Sequence, residues 1–257
     1  MTYWIDSHSH LAFDDFKDNF EEHIQRAFDQ NVKRMMCVCL NKEQLERGFE
    51  LKEKYPFIDL AIGYFPLDVK KITKDDWDYL EEIVKDERVC AVGEIGLDYF
   101  WDTSYNDLQK ECFIRQIELA NSVNKPIVVH SRDAHEDAYQ ILKAHTPIKG
   151  GIMHCYSGEL EYAKKLHPLG MVFSFGGPLT FKDLTEGKEV VRQMPLDSIL
   201  IETDCPSLPP EAHKDEPSET SFAHYPGEVV AELKGLDIET VQKQMQETYE
   251  RFFGPLK

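Results

Sequence analysis

Apolar and polar residues follow two different periods along this chain. Short apolar runs, typical of buried β-strands, are separated by longer stretches in which apolar residues recur at helical spacing. The runs predict strands at residues 3–5, 32–40, 57–63, 89–95, 126–129, 151–153, 171–175 and 199–201. The helical periods predict helices at residues 16–30, 42–54, 75–85, 108–123, 133–144, 160–166, 183–194 and 236–253. Strands that alternate with helices in this way favour a parallel α/β barrel.

The length of the chain agrees with this architecture. Its 257 residues match the roughly 250 residues of a typical (β/α)8 barrel, so we predict one barrel domain over residues 1–257. An open, doubly wound sheet is the alternative. No glycine-rich dinucleotide-binding or P-loop motif follows an early strand, which disfavours that alternative.

The chain is strongly acidic, with a formal net charge of −18. Such a surface does not attract polyanions in general, so a nucleic acid would have to be bound locally, through metal ions. No apolar run is long enough to span a membrane, and the first residues are neither basic nor apolar enough for a signal peptide. We therefore expect a cytoplasmic protein that acts away from membranes and needs no obligate protein partner.

The six cysteines indicate neither a disulfide framework nor a zinc motif. No two of them form a C-x-x-C pair, and most lie in the apolar runs that predict strands. We therefore predict that they are buried free thiols.

The first predicted strand leads into alternating polar residues. Side chains two positions apart in an extended segment point the same way, so Asp6, His8 and His10 face one side together. Two imidazoles at this spacing can hold a divalent metal, and the carboxylate of Asp6 is close enough to orient a ring. A solvated strand end with two unrelated histidines is the alternative reading of this motif alone.

Further polar candidates stand where later strands end. Glu94 ends the fourth strand, His130 follows the fifth, His154 the sixth and Asp204 the eighth. In α/β barrels the chemistry lies at the C-terminal mouth, which is built from the ends of different strands. A buried, hydrogen-bonded histidine is the ordinary alternative for His130 or His154 taken singly. Six metal-competent side chains at one rim nevertheless predict a metal site.

The types of ligand indicate which metals and which chemistry this site would support. Four histidines and two carboxylates are enough for two divalent ions, Mg²⁺, Mn²⁺ or Zn²⁺, about 3.5–4 Å apart. Glu94 is the predicted bridge, because it lies near the middle of the set in barrel order. Such a pair of ions polarises a phosphoryl oxygen and activates a water molecule. Asp204 is predicted to bind one ion and to accept a proton from that water.

Five segments that carry these residues resemble a known family. They are residues 5–11 (IDSHSHL), 91–99 (AVGEIGLDY), 126–134 (PIVVHSRDA), 154–158 (HCYSG) and 201–206 (IETDCP). In order and spacing they resemble the motifs of TatD-type metal-dependent deoxyribonucleases, which belong to the amidohydrolase-like barrel superfamily. The resemblance spans residues 5–206, and the helical C-terminal segment fits it too.

The resemblance implies a TIM-type barrel with a two-metal site at its mouth and 3′-to-5′ removal of nucleotides from DNA or a short oligonucleotide. By position it assigns metal contacts to His8, His10, Glu94, His130, His154 and Asp204. It places other residues around them, namely Asp98, Arg132, Asp133, Ser157 and Glu202. Arg132 would either contact a substrate phosphate or form an ordinary surface ion pair.

Two segments depart from the family pattern. The third strand of the family usually ends in Gly-x-His-Pro, whereas here it ends in Gly63-Tyr64-Phe65-Pro66. Phe65 or Tyr64 would then stack on a base, and the alternative for Phe65 is that it simply packs in the rim. The loop at residues 211–217 is acidic where the family often carries an arginine-rich stretch. This suggests a weaker grip on long nucleic acid, or a shorter substrate.

Two other functions stay open at this point. The first is a metal-dependent hydrolase of a carbonyl substrate, such as an ester, amide, lactone or misacylated tRNA, because the same superfamily hosts that chemistry. Its members often bridge their metals with a modified lysine at the end of the fourth strand, where this chain has Glu94, although the net charge of −18 leans toward such a substrate. The second is a non-catalytic interaction protein, which is disfavoured because clustered buried charges without a metal cost stability.

Overall fold

The chain folds as eight strands that alternate with helices, and the computed structural model describes residues 1–256. The strands are β1 (Trp4–Ser9), β2 (Val32–Cys39), β3 (Ile58–Ile62), β4 (Val89–Asp98), β5 (Ile127–Arg132), β6 (Gly151–Met153), β7 (Met171–Phe175) and β8 (Ile199–Ile201). The α-helices are α1 (Phe20–Asp29), α2 (Lys42–Lys54), α3 (Lys74–Ile83), α4 (Asn106–Ser122), α5 (His135–Ala144), α6 (Leu160–Leu166), α7 (Thr185–Gln193), α8 (His224–Lys234) and α9 (Ile238–Phe253).

The strands form one parallel sheet in sequential order, from β1 to β8. Two backbone hydrogen bonds join the end of β1 to the segment after β8. The amide of Asp204 donates to the carbonyl of His8, and the amide of His10 donates to the carbonyl of Cys205, both at 2.9 Å. The predicted TIM-type (β/α)8 barrel is confirmed, and this junction lies at its C-terminal mouth.

The apolar strands form the core because parallel barrel strands are buried on both faces. Residues 35–39 of β2, for example, are entirely buried. The helices cover the outside with their apolar faces, and local capping sets where several of them begin. Asn41 accepts a hydrogen bond from the amide of Gln44 at the start of α2, and Thr73 and Asp76 form a reciprocal capping box at the start of α3.

Strand β4 is longer than the sequence indicated. The prediction ended it at residue 95 because glycine usually interrupts a strand, but β4 continues through Gly96 to Asp98. Gly96 adopts a φ of 141°, and a Cβ atom there would lie 1.9 Å from the carbonyl oxygen of His130. Glycine therefore extends the strand here, because only a residue without a side chain lets β4 pass this close to β5.

No helix was predicted between β8 and the helix at residues 236–253, and this prediction was wrong. The segment contains α8, with Pro226 in its first turn, where a missing amide hydrogen costs no helical hydrogen bond. The polar tract at residues 217–226 is packed against the barrel, with Ser218 and Thr220 buried.

A buried arginine anchors the last helix at the end of the barrel opposite the mouth. Arg34, which is 2% exposed, donates through Nε to Asp59 at 2.7 Å and through a terminal nitrogen to the carbonyl of Gly254 at 2.8 Å. The hydroxyl of Tyr249 donates to the same carboxylate at 3.0 Å. This network stabilises the fold and lies away from the strand ends that carry the candidate ligands.

The side chains of the cysteines are unpaired, as predicted: all six are free. No helix in the described part of the chain combines the length and the apolar character needed to cross a membrane.

Candidate metal centre

The six predicted ligands come together at the C-terminal mouth, in two groups. The first group joins the end of β1 to Asp204, three residues beyond the end of β8. The Nε2 atoms of His8 and His10 lie 3.4 Å apart, and they lie 3.6 Å and 3.3 Å from Oδ1 of Asp204. These three residues form one of the possible metal-binding sets among the described residues.

The second group is built from Glu94 within β4, His130 within β5 and His154 just after β6. Oε1 of Glu94 lies 3.0 Å from Nδ1 of His130 and 2.9 Å from Nε2 of His154. The two nitrogens are 3.4 Å apart. This is a second possible metal-binding set, and its donors converge as those of the first set do.

Glu94 lies between the two groups. While its Oε1 atom faces His130 and His154, its Oε2 atom lies 3.5 Å from Nε2 of His8 and 3.7 Å from Nε2 of His10. One carboxylate therefore presents a separate oxygen to each set of donors.

Two of the imidazoles are oriented by carboxylates behind them. Nε2 of His130 donates to Asp98 at 2.9 Å, and Nδ1 of His154 donates to Glu202 at 3.1 Å. Glu202 is itself fixed by the amide of Cys155, which donates to it at 2.7 Å. A hydrogen bond of this kind selects the tautomer whose other nitrogen is free to bind a metal.

His8, in β1, and His10, just after it, are held differently. Nδ1 of His10 donates to the carbonyl of Val38 at 3.2 Å. Nδ1 of His8 and Oε2 of Glu202 are buried and have no hydrogen-bond partner among the described residues. The nitrogen and oxygen donors converge at 2.9–3.7 Å, and three of the four imidazoles have a hydrogen-bonded outer nitrogen, an arrangement that fits a shared divalent metal.

The charges of the site depend on one another. Burial by itself raises the pKa of Glu94, but the surrounding imidazoles outweigh it and hold that pKa well below its usual range. Burial lowers the pKa of His154, but Glu94 and Glu202 outweigh it and raise the pKa well above its usual value. Protons and a cation therefore compete for the same nitrogens, so metal binding releases protons.

Asp6 does not orient an imidazole, contrary to the interpretation of the β1 motif. Its carboxylate accepts hydrogen bonds from the amide and the hydroxyl of Thr203, at 2.9 Å and 2.6 Å. Burial raises the pKa of Asp6 to about 8, against the effect of these hydrogen bonds. The contact fixes the residue before Asp204, which has a left-handed φ of 53°. Strain of this kind persists only where neighbouring contacts impose it.

The outer residues implied by the resemblance differ in what they do. Asp98 and Glu202 contact imidazoles, as described above. Asp133 and Ser157 are exposed, and their side chains make no hydrogen bond to other described residues. Arg132 forms no ion pair within the described part of the chain, and its guanidinium lies over a neighbouring aromatic ring.

The two aromatic residues after β3 differ in burial and in their contacts. Tyr64 is buried, its hydroxyl donates to the carbonyl of Asp76, and its ring packs edge-on against Trp77. It is therefore not available to stack on a base, and that part of the prediction was wrong. Phe65 is half-buried, and its ring centroid lies 4.9 Å from that of His130, so it borders the site.

Four residues that contribute to this region were not predicted from the sequence. Thr203 holds Asp6, and the side chain of Gln109 holds the backbone of Asp98 from both sides, at 2.8 Å and 2.9 Å. Phe100 and Trp101 are exposed at the mouth. Only Phe100 and Trp101 could have been found from the sequence, because they are two large aromatic side chains within a polar segment.

The fold and the site together define the class of protein, a metal-dependent hydrolase on a TIM-type barrel. Residues 5–254 match the family described as TatD related DNase. Because the match covers nearly the whole chain, this protein belongs to the TatD family.

Similar proteins agree with this assignment. The Bacillus subtilis (strain 168) protein named "Uncharacterized metal-dependent hydrolase YabD" is 42% identical over 250 residues, covering 97% of this chain and 98% of its own. The Escherichia coli (strain K12) protein named "Uncharacterized metal-dependent hydrolase YcfH" is 30% identical over 255 residues, covering 97% and 95%. The crystal structure of YjjV, a TatD homolog from Escherichia coli K12, superposes with a TM-score of 0.93 at 28% identity, over 97% of both chains.

Proposed function

We propose that the protein is a two-metal phosphodiesterase that removes nucleotides from the 3′ end of DNA. The observation that carries this proposal is the position of Glu94, whose two oxygens face two separate sets of donors. A carboxylate that could be shared by two closely spaced cations fits the two-metal sites that hydrolyse phosphates.

Each set of residues has a distinct part in the proposed reaction. His8, His10 and Asp204 would hold one cation, His130 and His154 the other, with Glu94 between them. Two divalent cations in these positions would polarise a phosphoryl oxygen and make a water molecule a stronger nucleophile. Asp204, which is partly exposed at the mouth, would accept the proton of that water.

The outer carboxylates keep this arrangement rigid. Asp98 and Glu202 each hold one imidazole with its free nitrogen toward Glu94. No step of the proposed reaction moves these side chains, so the site is organised before the substrate arrives. The cytoplasmic location and the action on DNA stay predictions.

Single-stranded DNA labelled at either end tests the proposal, with Mg²⁺, with Mn²⁺ and with EDTA. Glu94→Ala removes the bridge, and Glu159→Ala is the matched control. Glu159 is an exposed carboxylate on the loop after β6, and its side chain makes no hydrogen bond or ion pair among the described residues. We expect metal-dependent shortening from the 3′ end by the parent and by Glu159→Ala, and none by Glu94→Ala.

Three results would contradict this proposal. Full activity in EDTA would remove the metals from the reaction. No cleavage of DNA under any metal, together with hydrolysis of esters, lactones or amides, would favour the carbonyl substrate instead. Normal turnover by Asp204→Asn would remove Asp204 as proton acceptor, because losing a general base lowers turnover by about 10²–10⁴-fold.

Salt provides a further test of how the phosphates are held. If metals rather than a basic surface bind them, activity on single strands falls only modestly as salt rises. A steep decrease would indicate several lysine or arginine contacts with the strand.

A further inference from the structure

Two exposed aromatic rings lie at the mouth of the barrel, outside the metal centre. Phe100 and Trp101 lie two and three residues beyond the end of β4, with 50% and 68% of their surface exposed. Their ring centroids are 4.8 Å apart, in an edge-to-face arrangement. Large aromatic side chains are normally buried, so adjacent exposed rings beside a catalytic site indicate contact with a ligand.

A cation completes this group, which we call the aromatic cluster: Phe100, Trp101 and Arg132. The guanidinium of Arg132 lies over the ring of Phe100, with Cζ 3.8 Å from the centroid, and lies 5.8 Å from that of Trp101. Because Arg132 makes no ion pair among the described residues, its charge is free to meet an anionic group of a ligand.

The aromatic cluster is joined to the metal centre through one carboxylate. The backbones of Asp98 and Arg132 are register partners in the parallel strands β4 and β5. One oxygen of Asp98 accepts from Nε2 of His130 at 2.9 Å, and the other accepts from the backbone amide of Phe100 at 3.0 Å. The rings are therefore held at a defined place next to a candidate metal ligand.

The rings lie on the loop between β4 and α4, at residues 99–105, and the far end of this loop is held as well. Lys70 contacts the carboxylate of Asp102 at 3.2 Å and lies 3.7 Å from the ring centroid of Tyr105. Asp102 also accepts from the amide of Ser104 at 2.9 Å. A loop fixed at both ends presents its aromatic rings with little loss of conformational entropy on binding.

We propose that the aromatic cluster binds the nucleobase next to the scissile phosphodiester, with the base stacked on Trp101 and a phosphate facing Arg132. This inference rests on the proposed function. A chain with a net charge of −18 gains little from general attraction of DNA, whereas stacking on an aromatic ring does not depend on net charge. Single-stranded DNA fits because its bases have free faces.

Kinetics with two substrates test this proposal. One substrate is a short single-stranded oligodeoxynucleotide, and the other is identical except for an abasic tetrahydrofuran residue at the 3′ end. Both are given to the metal-loaded parent, Trp101→Leu and Trp101→Phe. Phe28→Leu is the control, since Phe28 is an exposed aromatic at the far end of α1, away from the mouth.

Removing the 3′ base from the substrate should raise KM and leave kcat unchanged. Stacking on one aromatic ring contributes enough to predict a KM for the parent that is about 5- to 150-fold higher with the abasic substrate. Trp101→Leu should show the higher KM with both substrates, and Trp101→Phe and Phe28→Leu should behave like the parent. The same KM for both substrates with the parent, or discrimination retained by Trp101→Leu, would overturn the proposal.

Tryptophan fluorescence separates this proposal from the proposed function. Of the three tryptophans, Trp4 and Trp77 are 3% and 9% exposed, so a stacked base should quench mainly Trp101. Quenching by the intact oligonucleotide and not by its abasic form, without any cleavage, would support the base-binding site and refute the nuclease. Cleavage without quenching, and with the same KM for the intact and the abasic substrate, would support the nuclease and refute the base-binding site.

Discussion

Replacing Asp98 by asparagine tests whether the carboxylates behind the imidazoles tune the metal centre. The substitution keeps the size of the side chain and removes its charge. Asp98 now accepts hydrogen bonds on both oxygens, from Nε2 of His130 and from the amide of Phe100. An asparagine amide has one acceptor oxygen, so either orientation places an NH2 group against a donor.

The size of the effect follows from this geometry. Asp98 is 1% exposed, so the unmatched donor pair cannot be relieved by water. Loss of a hydrogen bond to a charged group costs about 1.5–3 kcal/mol. Loss of such a partner behind a metal-binding histidine weakens metal affinity or activity by about 10- to 100-fold, or about 1.4–2.8 kcal/mol. The two figures agree, so we expect metal binding weakened by this amount.

The dissociation constant of the metal, measured by competition with a chelator at fixed pH, checks this prediction. Asp137→Asn is the matched control, because Asp137 accepts from the hydroxyl of Tyr99 at 2.8 Å and contacts no imidazole. Parent-like affinity and turnover in Asp98→Asn would refute the argument. An equal loss in Asp137→Asn would show that the effect comes from the neighbouring loop and not from the orientation of His130.

Three further predictions concern stability. Gly96→Ala should lower the free energy of unfolding by at least about 3 kcal/mol, measured in urea, because its Cβ would lie 1.9 Å from a carbonyl oxygen of His130. Burial lowers the pKa of His23 to about 4, so the stability that the neutral imidazole contributes is complete above pH 6.5. This contribution, about 3 kcal/mol, is lost as the pH falls from 6.5 to 4. Urea titrations at each pH should show that His23→Gln lacks this loss. Arg34→Met should cost about 3–5 kcal/mol by leaving Asp59 buried without its arginine, with metal affinity unchanged.

Each of these has a result that would contradict it. Gly235→Ala is the control for Gly96, since Gly235 has a φ of 64° and no atom within 4 Å of a Cβ, and an equal cost in both would exclude the steric explanation. The same acid dependence in His23→Gln and the parent would exclude His23 as its source. Weaker metal binding by Arg34→Met would show that the anchor at the bottom of the barrel is coupled to the mouth.

Comparison of the strands with the sequence shows what periodicity determines. Strands β6, β7 and β8 and helices α2 and α6 have the predicted bounds, because a buried parallel strand and an amphipathic helix differ in their spacing of apolar residues. The order of Glu94, His130 and His154 on successive strands was equally readable, but β4 continues four residues past Glu94 and β5 two residues past His130, so only His154 stands after the end of its strand. In a parallel barrel all these ends meet at one mouth, so the order of the elements suffices to bring such residues together.

Glycine and proline predicted the wrong secondary structure at two places where contacts with distant residues decide the conformation. Gly96 extends β4 because the neighbouring strand approaches too closely for a side chain. Pro226 and the polar tract before it indicated a loop, but α8 packs on the barrel with proline in its first turn. Propensity is a weak guide where burial and packing contribute more.

The sequence by itself determined the barrel, the order of its strands and the six candidate ligands. Only the tertiary structure decided which atom faces which: that Glu94 turns one oxygen toward each group, that Asp6 binds Thr203 and not an imidazole, and that Tyr64 is buried. The period of a strand tells which face a side chain occupies, but its rotamer and its partner depend on residues up to 197 positions away. Those residues become neighbours only when the barrel closes.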